Sequence, residues 1–422
     1  MDVRRRRKDK KNKPKININI DFKVNPKILI IFALALIVLL SGILLTKNIS
    51  SKKNANIQIE ENPKLDQLIE EINKEGEELI KPEDVTIKIA IVGGVFCDQG
   101  ILNSAYNKEL NEYNFYNSFN RVTNNILKTD ITLGTLETNF DWDLEHIKNT
   151  HNAPNELAET LSLIGFDILN VATNYSNDYG TAGIKQTKSM IEKNNMNAVG
   201  IYNNETKDRV LIKEIENIKI AFLAYTYDTD KKQNENDDYL VNITDKDRIK
   251  NDIENAKRSG ADFIFVNMHW GDLKSHGVTD NQKELTDFLV ENGADFIIGS
   301  HPIIIQPMEM RKNKEGKDVL VAYALGNFLS SEEYKDANVG LTINIQITKS
   351  TKTGEKYLSK VVYTPVYIID NGEDSVNRYE ILDIREEINK YQKNARDKVS
   401  EDVYNKLKEA LNMVENVIGG NS

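Results

Sequence analysis

Six side chains that can bind a ligand or move a proton stand at or just beyond the ends of apolar runs. They are Glu137 in GTLETNF, Asn174 and Asp178 in ATNYSNDYG, His269 in MHWGD, His301 in GSHP and Asn327 in LGNF. Histidine and the carboxylates are the usual general acids and bases, and His269 or His301 could serve as one, with Glu137, Asn174 and Asp178 beside them. The chain has only five histidines, and His146, His151 and His276 fall in polar stretches. A histidine closing a strand can equally be a hydrogen-bonded structural residue, Asn-Asp-Tyr-Gly can be a turn, and Glu137 can cap the segment that follows. The pattern carries information because it recurs at several strand ends, where the loops of open α/β sheets converge on ligands.

The elements that must position these residues follow from periodicity. IKIAIVGG, FDILNVATN, IKIAFLAYT, ADFIFVNMHW, ADFIIGSH and VLVAYALGNF read as short buried strands. Between them lie helical stripes: Leu157, Leu161 and Ile164 closed by Gly165; Ile249, Ile253 and Ala256 ended by Gly260; Leu285, Phe288 and Leu289 ended by Gly293. Two strands opening Ala-Asp-Phe after a glycine stop predict repeated βαβ crossovers. LTINIQIT and YLSKVVYTPVYI alternate with period two and predict an antiparallel pair after the crossovers. The end of the chain predicts helices, with Val403, Leu407, Leu411 and Val414 on one face. The fold class expected is α/β, one large domain over 85–370 followed by a helical segment over 371–422.

The N-terminal part has a different composition. Residues 28–46, ILIIFALALIVLLSGILLT, carry no charge over 19 residues, nearly the length needed to span a hydrocarbon core of roughly 30 Å. Residues 1–27 hold eleven Lys and Arg against three Asp, a net +8, which predicts a cytoplasmic tail. The run is longer than a signal-peptide core and no small-x-small cleavage site follows it, so an uncleaved anchor is expected, with the rest of the chain outside the cytoplasm. Residues 47–84 are polar and acidic and read as a stalk.

The whole chain is −10, so the residues after the tail carry −18, a balance that speaks against nucleic acid as a partner. Cys97 is the single cysteine, which excludes an intramolecular disulfide and a thiolate metal cluster.

The ordered series IVGGVF, GTLETNF, LNVATNYSNDYG, MHWGD with Gln282 downstream, GADFIIGSHPIIIQPME and YALGNF resembles the bacterial capsule-synthesis CapA family, the poly-gamma-glutamate capsule proteins also called PgsA. The resemblance runs from about Ile87 to Ile369. It implies a four-layer, calcineurin-like metallophosphoesterase sandwich behind an N-terminal transmembrane helix. It also implies work at the cell surface with a membrane-bound polymer synthase, on or near an anionic polymer. In such folds strand-end carboxylates, asparagines and histidines hold divalent metals that activate water. Carried over, Glu137, Asn174, His269 and His301 match the family's metal positions.

Departures are as informative. Gly93-Gly94 stands where the family usually has Gly-Asp, Thr173-Asn174-Tyr175 where it has Asn-Asn-His, and Gly299-Ser300-His301-Pro302-Ile303 where it has Gly-His-His-Pro-His. An acid and three imidazoles are thereby replaced by groups that bind a hard cation poorly or not at all. The expectation is one weakly bound divalent ion and loss of phosphoesterase turnover. Three functions remain open on this reading: a capsule-assembly component with a degenerate site, a metal-dependent surface hydrolase of phosphoester or gamma-glutamyl substrates, and a surface protein whose cleft is a relic.

Overall fold

The computed structural model describes residues 63–123, 128–140, 151–206, 208–233, 237–373 and 375–419. The tail and the expected membrane helix over 28–46 lie outside the described residues. Among the described residues no helix is long and apolar enough to cross a membrane.

The chain enters through helix α1 (Pro63–Leu79) and runs into strand β1 (Val85–Val95). Helix α2 (Gln99–Ala105), the small hairpin β2 (Tyr106–Asn107) and β3 (Glu112–Tyr113), and the turn α3 (Tyr116–Phe119) follow. Next come β4 (Ile131–Leu136), the short pair β5 (Asn139–Phe140) and β6 (Asn152–Ala153), α4 (Asn155–Leu163), β7 (Ile168–Asn170), α5 (Gly180–Lys193) and β8 (Asn197–Val199). A second run comprises β9 (Leu211–Ile215), β10 (Ile218–Thr226), α6 (Lys246–Arg258), β11 (Phe263–His269), α7 (Asp280–Asn292) and β12 (Phe296–Ser300). It continues through β13 (Met308–Lys312) and β14 (Asp318–Ala322). The chain closes with β15 (Asn327–Leu329), β16 (Val339–Lys349), β17 (Lys356–Asp370), β18 (Tyr379–Asp383), α8 (Ile384–Gln392) and α9 (Glu401–Ile418).

These strands form two main sheets. The larger has the order β18-β17-β16-β1-β4-β7-β8, with β15 pairing in parallel to the end of β1. The smaller has the order β13-β14-β12-β11-β10-β9. The expected crossovers are present, since β1, β4, β7 and β8 are parallel, as are β10, β11, β12 and β14. The period-two segments form the antiparallel pair β16 and β17.

Alternation along β1 shows how the layers arise. Ile87, Ile89 and Ile91 share one buried core with Ile220, Phe222, Phe265 and Phe296 of the smaller sheet, so the two sheets face each other across it. Val92 and Val95 instead pack with Ile101, Leu157, Leu161 and Ile184 of the helices outside. The outer face of the smaller sheet carries Ile249 and Ile253 of α6 and Leu285 and Leu289 of α7. The result is a mixed α/β sandwich in four layers.

Local signals set the helix ends. Thr279 and Gln282 form a reciprocal capping box at the start of α7, and Gly293 at φ 100° closes it in the left-handed conformation that a side chain disfavours.

Two expected boundaries are corrected. The stalk expected over 47–84 is, from Pro63 onward, a helix seated on the sheet: Leu65, Ile69 and Ile72 are buried, and Asn73 pairs with the backbone of Val361 through two hydrogen bonds of 3.0 and 2.7 Å. That stretch of β17 lies beyond the reach of β18, which pairs only with Val366–Asp370, so α1 covers an otherwise open sheet edge. The segment 371–422 is likewise more than a helical appendage. It contributes β18 to the large sheet, and Leu407, Leu411 and Val414 of α9 enter the core between the sheets.

Candidate functional site

Parallel strands bring their carboxyl ends to one side of each sheet, and because the sheets face each other these ends meet along a seam. From the larger sheet come Glu137, directly after β4, and Asn174, in the loop after β7. From the smaller come His269 at the end of β11, Ser300 at the end of β12, His301 after it, and the loop 227–230 after β10.

The centre is a hydrogen-bonded chain across the seam. His269 is fully buried; its Nε2 lies 2.8 Å from Asn174 Oδ1 and its Nδ1 2.8 Å from Ser300 Oγ. Asn174 Nδ2 donates to both carboxylate oxygens of Asp230 at 3.2 Å. The Asn174 amide nitrogen therefore faces Asp230 and its oxygen faces His269, which places the proton of the imidazole on Nε2. Nδ1 is left to accept from the Ser300 hydroxyl. Burial, reinforced by neighbouring His301, pushes the His269 pKa well below its usual value, so the ring is neutral near pH 7.

His301 stands against this chain, its ring 4.8 Å from that of His269 and 4.8 Å from Tyr227. Burial lowers its pKa to about 4, although Asp230 and Asp272 pull the other way. Its backbone sits at φ 100°, a region that costs a non-glycine residue about 1–3 kcal/mol. Tyr227 is about half exposed and lies over both imidazoles.

Glu137 lies at the same end of the larger sheet. Its carboxyl lies against Gly94, where a Cβ would come within 2.5 Å of Oε1, so it occupies the space an aspartate at position 94 would need. Burial raises its pKa to about 7. Asn327, also at this end of β1, donates to the carbonyl of Ala337 at 3.1 Å. Asp178 belongs to a separate pair: its Oδ2 lies 3.1 Å from His151 Nδ1, whose ring packs on Tyr175 at 3.8 Å and on Phe96 at 5.1 Å. The expected grouping of Asp178 with His269 and His301 is thus replaced by an Asp178–His151 pair, formed because the turn after Tyr175 directs Asp178 toward the 151 loop.

The fit to a divalent metal can be tested on the donors. A bound cation needs several lone pairs aimed at one point. Both nitrogens of His269 and the oxygen of Asn174 are already engaged with each other and with Ser300. Among the described residues no group of three His, Cys, Asp or Glu converges to hold a metal ion. With His269 and Asn174 committed to each other and His269 also to Ser300, the expected set of Glu137, Asn174, His269 and His301 does not fit a resident metal.

Sequence reading missed Asp230 and Ser300. Asp230 lies four residues past the end of β10 in TYDTD, so the strand-end rule applied to IKIAFLAYT would have found it. Ser300 was visible, but only as the loss of a histidine.

Comparison with known proteins gives a consistent assignment. The model of the family described as bacterial capsule synthesis protein PGA_cap matches residues 88–332, more than half of the chain. The capsule biosynthesis protein CapA of Bacillus anthracis is 28% identical over 194 residues, covering 43% of this chain and 44% of that protein. The PGA biosynthesis protein CapA of Bacillus subtilis (strain 168) is 26% identical over 226 residues, covering 50% and 57%. The chain thus matches about half the length of these curated relatives. Among solved structures, the calcineurin-like phosphoesterase YfkN from Bacillus subtilis is similar at TM-score 0.38 and 14% identity, covering 79% of this chain and 98% of that one. A phosphatase from Mycoplasma pneumoniae gives TM-score 0.39 at 12% identity, covering 67% and 94%. Scores at this level carry no argument about chemistry.

Proposed function

Because the chain belongs to the bacterial capsule synthesis protein family, we propose that it acts in the synthesis or export of a capsule polymer of the poly-gamma-glutamate type. The observation that carries this reading is the extent of the family match, which runs from β1 to just past β15 and so takes in every strand end at the seam. On the same reading the sandwich is of the calcineurin-like phosphoesterase type, retained as a frame with its donors changed.

The chain works outside the cytoplasm, held by residues 28–46 as a single-pass anchor beside a membrane-bound polymer synthase. The uncharged 19-residue run and the +8 tail before it support that placement. Tethering raises the local concentration of weakly binding partners, so a modest affinity for the synthase suffices. The synthase is favoured over the polyanion as the direct partner, because Asp228, Asp230 and Asp272 lie by the seam and the chain beyond its tail carries −18.

Deleting the gene in an encapsulated parent strain should remove surface polymer while leaving the synthase in the membrane. Undiminished polymer in the deletion strain would reject the reading. Protease added to intact cells should digest the chain beyond Lys47, and protection of that region would overturn the topology.

A further inference from the structure

We propose that Ser300 is a nucleophile for acyl transfer, with His269 as its general base, Asn174 orienting the imidazole and Asp230 orienting Asn174. The substrate class is an ester or amide carbonyl, attacked without a metal. This goes beyond the capsule reading and does not depend on it.

The argument rests on the order of donors and acceptors. A carboxylate only accepts, so Asp230 fixes the amide of Asn174, Asn174 fixes the tautomer of His269, and His269 presents an unprotonated Nδ1 to the hydroxyl of Ser300 at 2.8 Å. A nucleophile within hydrogen-bond reach of a base that a third group orients is the arrangement that activates a hydroxyl. Its members come from four strand ends and two sheets, with His269 and Asn174 separated by 95 positions in sequence.

Ser300 is the last residue of β12, and the chain turns sharply at His301 with φ 100°, so Oγ lies at the carboxyl end of the sheet. Gly299 anchors that end, since a Cβ there would meet the carbonyl oxygen of Tyr323 at 1.7 Å. The serine that removes a metal ligand from this position is the same residue that completes the array.

In the first step Ser300 Oγ bonds to the carbonyl carbon and its proton passes to Nδ1 of His269. The imidazolium then holds Nε2–H on Asn174, and its Nδ1 proton goes to the departing alcohol or amine as the C–O or C–N bond breaks. Water, or an amine acceptor, enters by the same route and releases the acyl group from Ser300. Atoms and charges balance with no oxidant or further cofactor.

A phosphoryl substrate is disfavoured by the surroundings. Lys231 donates to the carbonyl of Asp178 and Lys274 pairs with Glu332 while lying over Tyr334, so neither is committed to an incoming phosphate.

The test is labelling of the purified full-length chain in detergent by a fluorophosphonate probe, with a chelator present, read by peptide mass spectrometry. Wild type should take one equivalent on Ser300, and Ser300→Ala should take none there. His269→Gln should slow labelling by about 10²–10⁴-fold, the usual contribution of a general base. Asp230 is exposed, so Asp230→Ala is suited to test positioning without disturbing the core: it should slow labelling about tenfold, and Asp230→Asn, which can still accept from Asn174, should restore most of the rate. Folding of each variant is checked by its thermal transition. The proposal is overturned if folded wild type is not labelled at Ser300, or if Ser300 is labelled equally fast in folded Asp230→Ala and His269→Gln.

Discussion

Glu137 and His301 are both buried, and burial moves their pKa values in opposite directions. The folded carboxyl of Glu137 titrates at about 7 against an ordinary 4.5, so between these values the folded chain holds a proton that the unfolded chain has lost. Its contribution to stability therefore declines as pH rises through that window and is level above it. His301 titrates at about 4 when folded against an ordinary 6.5, so stability falls as pH drops from 6.5 toward 4, because the unfolded chain then takes up the proton first. Glu137→Gln has no proton to lose. Urea unfolding should show it close to wild type at pH 4 and more stable at pH 8 by about 3 kcal/mol, the equivalent of the pKa shift. Equal stability of the two proteins at pH 8 would show that the carboxyl is not desolvated as described.

Helix α1 is where local propensity and tertiary contact disagree. Glycine inside a helix costs about 0.5–1 kcal/mol relative to alanine, so Gly76→Ala should stabilise an isolated α1. In the folded chain a Cβ on Gly76 would stand 2.0 Å from the carbonyl oxygen of Ser359, and backbone cannot yield as a side-chain tip can. Contact wins, because the overlap must be relieved by lifting a helix that buries Leu65, Ile69 and Ile72. Gly76→Ala should accordingly lower the unfolding temperature and expose the 63–84 segment to limited proteolysis. Asn73→Ala should act the same way, at about 1–3 kcal/mol, by leaving the N–H and carbonyl of Val361 unpaired. A Gly76→Ala protein more stable than wild type would mean that the helix is not seated on β17.

The whole molecule depends on two sheets pressed face to face, with Phe222 and Phe265 stacked at 5.1 Å and Phe265 and Phe296 at 4.2 Å between them. The seam at the strand ends is bridged by the hydrogen bond that His269 Nε2–H donates to Asn174 Oδ1. A ligand that binds only the folded state raises stability in proportion to the logarithm of its concentration over Kd. Millimolar Mn²⁺, or removal of divalent ions with a chelator, should then leave the thermal transition within about 1 °C of its starting value. A rise of several degrees with Mn²⁺, absent in His269→Gln, would restore a metal to this seam.

Much of this was legible in the residues. Period-two runs and glycine stops marked the crossover strands and the β16–β17 pair, because alternation and left-handed caps are local properties. Strand-end residues marked the seam, and the family-specific order of motifs identified the chain. The same local evidence misread 63–84 as a stalk: a mean polar composition hides the few apolar positions that dock, and the open edge of β17 they cover is formed almost 300 residues later. It also could not assign partners. Asp178 and Asn174 lie four residues apart, yet one turns to His151 and the other to His269. Periodicity determines which face a side chain takes, whereas the packing of one sheet on the other decides which donor meets which acceptor. That packing brought Asn174 to His269, while the register of β12 on β11 within the smaller sheet turned a position read as a lost ligand, Ser300, into the hydroxyl facing His269.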